Sequence, residues 1–207
     1  IMKNVFYINL DTRTDRKEQV ENELKNLKWD FTRFNAIKNK NGRIGCSMSH
    51  LKLLQDAKKK NLEYIVILED DIQFLKPKYY AKKLEKYMNT NPQFDVFLIA
   101  GNLRNPIHKI AGNIYQIKKC WTTTGYIVKQ HYYDTLINNI RSGIIELMKT
   151  PELHHLYAID ANWQKLQEKD MWTMILPRTV TQRPNYSDIE GRVINYNHLM
   201  IDYNGFG

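Results

Sequence analysis

"YIVILEDDIQF", residues 64–74, passes from pure hydrocarbon into three consecutive carboxylates. The unbroken apolar run from Tyr64 to Leu68 has strand length, and it suits a strand covered on both faces, as in a parallel α/β sheet. Glu69, Asp70 and Asp71 follow at once. Ligands of open parallel sheets bind outside the carboxyl ends of the strands, which is where this triplet falls. In extended chain, residues i and i+2 share a side, so Glu69 and Asp71 are expected to point together with Asp70 opposite. Two ionised carboxylates held close in a half-buried place repel and lose hydration. A divalent cation removes that cost, and all-oxygen ligands favour Mg2+ or Mn2+ over zinc. An acidic surface turn or helix cap is the competing reading.

The flanks repeat the alternation of strand and helix. Residues 5–10, "VFYINL", read as a strand, and the following helix carries Val20, Leu24 and Leu27 on one face, with Asp11 or Thr14 as its cap. Residues 29–37 alternate bulky and polar side chains as a second strand, residues 38–45 read as a glycine-containing loop, and residues 46–60 as a helix. A helix over 77–88 opens on Pro77, and 94–101 reads as a buried strand. Further on, 113–120 and 122–129 read as two strands, adjacent to one another. Helices over 131–148 and 156–169, a strand over 172–177 and a polar, turn-rich tail complete the chain. This order predicts an α/β fold with a mostly parallel, mixed central sheet. All 207 residues are expected to form one domain.

Composition narrows the partners. The formal net charge is +9, which favours an anionic partner: nucleic acid, a membrane surface or a nucleotide diphosphate. The lysine runs at 58–60 and 76–86 lack interleaved aromatics and glycines, so they read as solvated helix faces and not as a nucleic-acid motif. Cys46 and Cys120 show no CxxC spacing and read as two buried free thiols, with a disulfide between them as the alternative. No apolar run reaches the ~18 residues that span a bilayer, and no leader or lipidation signal is read at either end. The expected location is the cytoplasm or the periphery of a membrane. Peripheral membrane contact and the oligomeric state stay open.

Several stretches together resemble glycosyltransferase family 25, which includes lipopolysaccharide glycosyltransferases and procollagen galactosyltransferases. They are "VFYINLDTRTDR" (5–16), "FNAI" (34–37), "GRIGCSMSHLKLL" (42–54), "VILEDD" (66–71), "FDVFLIAG" (94–101), "TTTGYIV" (122–128) and "YAIDANW" (157–163). The resemblance implies a GT-A type, Rossmann-like fold that binds a UDP-sugar and a metal at the acidic motif, with 1–101 as its nucleotide-binding half and 102–207 as its acceptor-side half. It also implies inverting transfer of a hexose, galactose or glucose, to a hydroxyl of a glycan or glycoprotein. Hydroxylysine of a collagen-like protein is one such acceptor.

On that resemblance Asn9, Leu10, Asp11 and Ala36 would line the nucleotide pocket. Arg13 and Arg16 would meet phosphates or uracil, since arginine forks suit both; a helix salt bridge is the alternative for Arg16. Asp71 is the first candidate metal ligand, with Glu69 and Asp70 reaching the metal, its water or the ribose. His198 is a candidate late ligand. Asp160 is the candidate base, a role inverting transfer requires, against a plain helix N-cap. His50 would hydrogen-bond substrate or hold structure. Thr123, Thr124 and Gly125 match a segment near the donor sugar, against a plain strand with a close backbone approach. Gln182, Ser187 and Asp188 would close over the site. Cys46, Ser49 and His50 do not read as a nucleophilic centre, because no acid partner for a lowered thiol pKa is evident. Two other functions compete: a non-catalytic module that binds sugar nucleotide or glycan, and, from charge alone, a nucleic-acid binder.

Overall fold

The computed structural model of the chain describes residues 2–202. The end of the C-terminal stretch read for targeting signals, from residue 203 on, lies outside them. The central sheet has eight strands: β1 (Val5–Asn9), β2 (Phe31–Asn35), β3 (Tyr64–Glu69), β5 (Val96–Leu98), β6 (Asn102–Ala111), β7 (Ile114–Trp121), β8 (Gly125–Lys129) and β9 (Trp172–Ile175). Their order is β2-β1-β3-β8-β5-β9-β7-β6. β7 and β8 run against the other six, so the sheet is mixed and mostly parallel in direction. Two ribbons flank it: β4 (Ile72–Phe74) with β10 (Val180–Gln182), and β11 (Asn185–Ser187) with β12 (Arg192–Ile194).

The apolar run of β3 is explained by two cores. Ile65 and Ile67 face one core, against α2 (Gly42–Lys59) through Leu53, Leu54 and Ala57 and against α4 (Tyr133–Lys149) through Leu136, Ile140 and Leu147. Val66 and Leu68 face the other core, against α1 (Thr14–Leu27) through Val20, Leu24 and Leu27 and against α3 (Pro77–Met88) through Tyr80 and Leu84. Residues 65–68 are all at most 1% exposed. Each such side chain contributes about 1.5–3 kcal/mol by burial, so β3 is a rigid base for whatever follows Leu68.

Several expected boundaries move. The α1 N-cap position is Arg13, with no side-chain cap bond; Asp11 turns instead to Arg33 and Asn35. α2 begins at Gly42, inside the expected loop, because the Asn41 side chain caps it by accepting from the Arg43 N–H. β7 and β8 are not neighbours: β8 lies between β3 and β5, and β7 lies between β9 and β6. The left-handed φ of Thr122, 77°, turns the chain between them. The expected helix over 156–169 is three short pieces, α5 (His154–Tyr157), α6 (Ile159–Asn162) and α7 (Gln164–Lys169). β6 was unread, and the polar tail folds into β10, the β11–β12 hairpin and α8 (Asn197–Met200). No helix among the described residues is long and apolar enough to cross a membrane.

Candidate functional site

Strand geometry ends at Glu69, because Asp70 and Asp71 form the turn into β4. The side-chain alternation expected across the triplet therefore stops there. Asp70, not Glu69, shares a partner with Asp71: Arg16 Nη1 lies 2.9 Å from Asp70 Oδ1 and 3.3 Å from Asp71 Oδ2. Asn9, at the end of the neighbouring β1, donates to Asp70 Oδ2 at 2.7 Å. Glu69 turns to β8's approach, where Thr123 Oγ1 donates to its Oε1 at 2.6 Å. Gln182 Nε2 approaches its Oε2 at 3.4 Å.

The three carboxyls differ electrically. Burial works to raise the Glu69 pKa, but the polar contacts of His50 and Thr123 and the charges of His50 and Arg16 outweigh it and hold it below its usual value. Burial raises Asp70 against the opposing pull of Arg16 and Asn9. Asp71 is pushed up to about 8, first by burial and then by the charge of Glu69. Its Oδ1 is buried with no hydrogen-bond partner. An orphaned hard oxygen of this kind suits Mg2+ or Mn2+. Asp71, which lines the same cavity as Glu69, therefore fits a divalent cation. Asp70 fits less well than expected, since Asn9 and Arg16 occupy its oxygens. His198 is an exposed residue of α8 outside the lining of both cavities described below, so the metal role read for it is not supported by its position.

Two cavities meet at this carboxylate end. The first, about 450 Å3, is lined by Asn9, Leu10, Arg13, Arg16, Ala36, His50, Glu69, Asp70, Asp71, Gln182, Ser187 and Asp188. The second, about 290 Å3, is lined by Arg43, Trp121, Thr122, Thr123, Asp160 and Tyr196. Cys46, Glu69, Gln182, Ser187 and Ile189 line both. Asp160, in α6, accepts the strained Thr122 N–H on Oδ2 at 3.0 Å. Burial raises its pKa, partly opposed by that hydrogen bond.

The β11–β12 hairpin covers the first cavity. Asp188 pairs with Arg13 at 2.7 Å, and the Tyr186 carbonyl accepts from Arg13 at 3.1 Å and from Arg16 at 2.8 Å. Arg43 pairs with Glu190 at 2.7 Å. Three arginines thus fasten one short hairpin.

Some expected residues stand back from the cavities. Asp11 lies outside both linings and is held below the ordinary carboxylate range by hydrogen bonds from Arg33 and Asn35. Thr124 is buried and bonds Thr122 Oγ1 at 3.2 Å. Gly125 pairs in register with Leu68, and a Cβ there would meet Ile72 Cδ1 at 2.9 Å. These two shape the backbone behind Thr123. Burial, then the charge of Glu69, raise the Cys46 thiol well above its usual pKa, which weighs against a nucleophilic thiolate. Sequence reasoning missed Arg33, which reaches the Asn9 side chain at 3.0 Å. It also missed Arg43, Trp121 and Tyr196, whose contributions depend on pairings far apart in sequence.

Comparison with known proteins follows the same lines. One solved structure with a similar fold is mannose-1-phosphate geranyltransferase from Thermus thermophilus, with a TM-score of 0.52 at 9% identity, covering 94% of this chain and 75% of that one. A glycosyltransferase involved in glycosylation of the major capsid of PBCV-1 gives a TM-score of 0.43 at 10% identity, covering 86% and 93%. The fold is of the GT-A type. Procollagen galactosyltransferase 1-B of Xenopus laevis is 29% identical over 98 residues, covering 34% of this chain and 16% of that protein. This chain therefore spans only a small part of that relative's length. The family described as glycosyltransferase family 25 (LPS biosynthesis protein) matches residues 40–163, more than half of the chain. That match runs from the loop before α2, through the acidic end of β3, to the segment that carries Asp160, and by it the chain belongs to glycosyltransferase family 25.

Proposed function

We propose that the chain transfers a hexose, galactose or glucose, from a UDP-sugar to a hydroxyl of a glycan or glycoprotein, with inversion at the anomeric carbon. The observation that carries this reading is the meeting of two cavities at one wall. The first has a size that suits a nucleotide diphosphate, and Arg13 and Arg16 in its lining can meet phosphate oxygens, while the carboxylates beside them call for a cation. The second holds Asp160 beside the aromatic side chains Trp121 and Tyr196, which suits a sugar-bearing acceptor.

In the proposed reaction the acceptor oxygen attacks the anomeric carbon and its proton passes to Asp160. The bond from that carbon to the diphosphate breaks, and UDP leaves with the electron pair. Burial keeps Asp160 more basic than an ordinary carboxylate, which suits a general base. Asp71, with Glu69, would hold Mn2+ or Mg2+; bound there, the cation neutralises charge on the diphosphate. Arg16 links the two ionic systems, since it already bonds both Asp70 and Asp71.

The acceptor class draws on the family and on the galactosyltransferase relative. The family is described by LPS biosynthesis and the relative by procollagen; both point to a hydroxyl on a glycosylated polymer. The test is UDP release from a panel of UDP-sugars with and without Mn2+. Release that needs Mn2+ and is lost in Asp71→Ala is the expected result. No release from any common UDP-sugar, with or without metal, defeats the reading.

A further inference from the structure

Cys46 and His50 lie one helical turn apart on α2, on the same face. Glu69 meets them from the end of β3. Cys46 Sγ is 3.8 Å from Glu69 Oε1, and His50 Nε2 is 3.5 Å from the same oxygen. Sulfur, nitrogen and oxygen all fall within 4.8 Å of one another. His50 is fully buried, and the long contact of its Nε2 with Glu69 falls short of hydrogen-bond geometry. Its other nitrogen, Nδ1, is 2.8 Å from the Tyr126 hydroxyl, and the two rings stack. A buried ring nitrogen satisfied only by so long a contact is costly. An imidazole fixed through one nitrogen with the other presented to a thiol and a carboxylate is how metal-ligating histidines are held.

We propose that Cys46, His50 and Glu69 form a site for a thiophilic divalent cation of the zinc type, distinct from the oxygen site centred on Asp71, with Glu69 common to both. One sulfur, one nitrogen and one carboxylate oxygen suit zinc far better than Mg2+ or Mn2+. Three protein ligands leave a fourth position. Cys46 and Glu69 line both cavities, so that position opens toward them and accepts water or a substrate hydroxyl. Binding forms the sulfur–metal bond while the Cys46 thiol releases its proton to solvent, with no change of oxidation state. The site draws on Glu69, so zinc competes with Thr123 for the Oε1 oxygen. The inference stands apart from the proposed UDP-sugar reaction.

The test is a titration of the metal-free full chain with Zn2+ against a chromophoric chelator. One zinc per chain is expected, with affinity falling by at least about tenfold in Cys46→Ser, as for other changes at ligating positions. Asp71→Ala is expected to keep the zinc. Co2+ in place of zinc is expected to show a thiolate charge-transfer band that Cys46→Ser abolishes. Circular dichroism checks that the variant folds, and Cys46→Ala serves in its place if it does not. Absence of stoichiometric zinc overturns the proposal. Equal uptake by the wild type and Cys46→Ser also overturns it, assigning the metal to surface groups such as the exposed His154 and His155. Loss of zinc in Asp71→Ala overturns the separateness of the two sites.

Discussion

Asp71 receives Arg16 Nη1 on Oδ2 at 3.3 Å while its Oδ1 is buried with no partner. A carboxylate left half satisfied in a buried place costs stability. Asp71→Asn removes the ionisable group and keeps the shape. Its expected effect is a folding stability equal to or above wild type, by on the order of 1 kcal/mol, together with a loss of metal-dependent UDP release of at least ~100-fold. Urea unfolding and UDP release on the same preparations check both. A large loss of stability with unchanged turnover would make Asp71 a structural residue.

Arg13 is held by the covering hairpin, through Asp188 at 2.7 Å and the Tyr186 carbonyl at 3.1 Å. A diphosphate entering the first cavity competes for the same guanidinium. Asp188→Asn weakens the internal competitor, so UDP is expected to bind about 3–10-fold tighter, the scale of ~1 kcal/mol for a largely exposed ion pair. Isothermal titration with UDP measures it. Weaker binding in the variant would mean that Asp188 positions the hairpin and does not compete with phosphate.

The acidic end of a buried strand was legible because both halves of the signal are local. Five apolar residues and three carboxylates are adjacent, and period-two packing onto two cores follows from the chain alone. The neighbour relation of β7 and β8 was misread because strand pairing is long-range. β8 inserts beside β3, some 60 residues earlier, after a left-handed Thr122 that no local pattern announces. β6 escaped notice because "NLRNPIHKIA" carries a proline and no regular alternation, and its pairing with β7 is broken by register shifts. Within the site, Arg16 was legible as a motif residue. Its bridging of Asp70 and Asp71 was not, because that depends on the turn that begins at Asp70. The contact of Cys46 and His50 with Glu69 likewise joins a helix to a strand that follows it in sequence.

Gly45 sits where α2 presses against the loop after β2. A Cβ there would meet the Ile37 carbonyl oxygen at 2.6 Å, and backbone cannot rotate aside as a side chain can. Both Ile37 and Gly45 line the first cavity. Gly45→Ala is expected to destabilise by about 1–3 kcal/mol through overpacking and to weaken UDP binding. Thermal unfolding with and without UDP distinguishes this outcome from a tolerated substitution, which would leave both midpoints unchanged.

The C-terminal segment is fastened by Asp202, which pairs with Arg178 through Oδ1 at 2.6 Å and accepts the Arg178 backbone N–H on Oδ2 at 2.7 Å. Burial acts to raise its pKa, but the Arg178 hydrogen bonds outweigh burial and lower it. A depressed carboxyl pKa stabilises the fold above the unfolded value of ~3.9 and ceases to do so as pH falls through the folded value. Asp202→Asn is therefore expected to be less stable than wild type at pH 7, by about 1 kcal/mol or more for a pair this far buried. The gap should close below pH 4. Denaturant unfolding at pH 7 and pH 3 tests the sign; a gap that widens on acidification contradicts it.

Asp160 has two separable duties. Its Oδ2 accepts the N–H of Thr122, whose φ of 77° is unusual for a β-branched residue and costs about 1–3 kcal/mol to hold. As the proposed base it must also take a proton in the second cavity. Asparagine can keep the first duty through its carbonyl oxygen and cannot perform the second; alanine performs neither. Asp160→Asn is thus expected to fold with near wild-type stability while kcat falls about 100–10,000-fold, the usual contribution of a general base. Asp160→Ala should lose kcat similarly and also about 1–2 kcal/mol of stability, because the Thr122 N–H is left without its acceptor. If Asp160→Asn kept its kcat while Asp160→Ala lost stability, the carboxylate would be the anchor of Thr122 alone, and the base would have to be sought elsewhere on the wall shared by the two cavities, at Glu69.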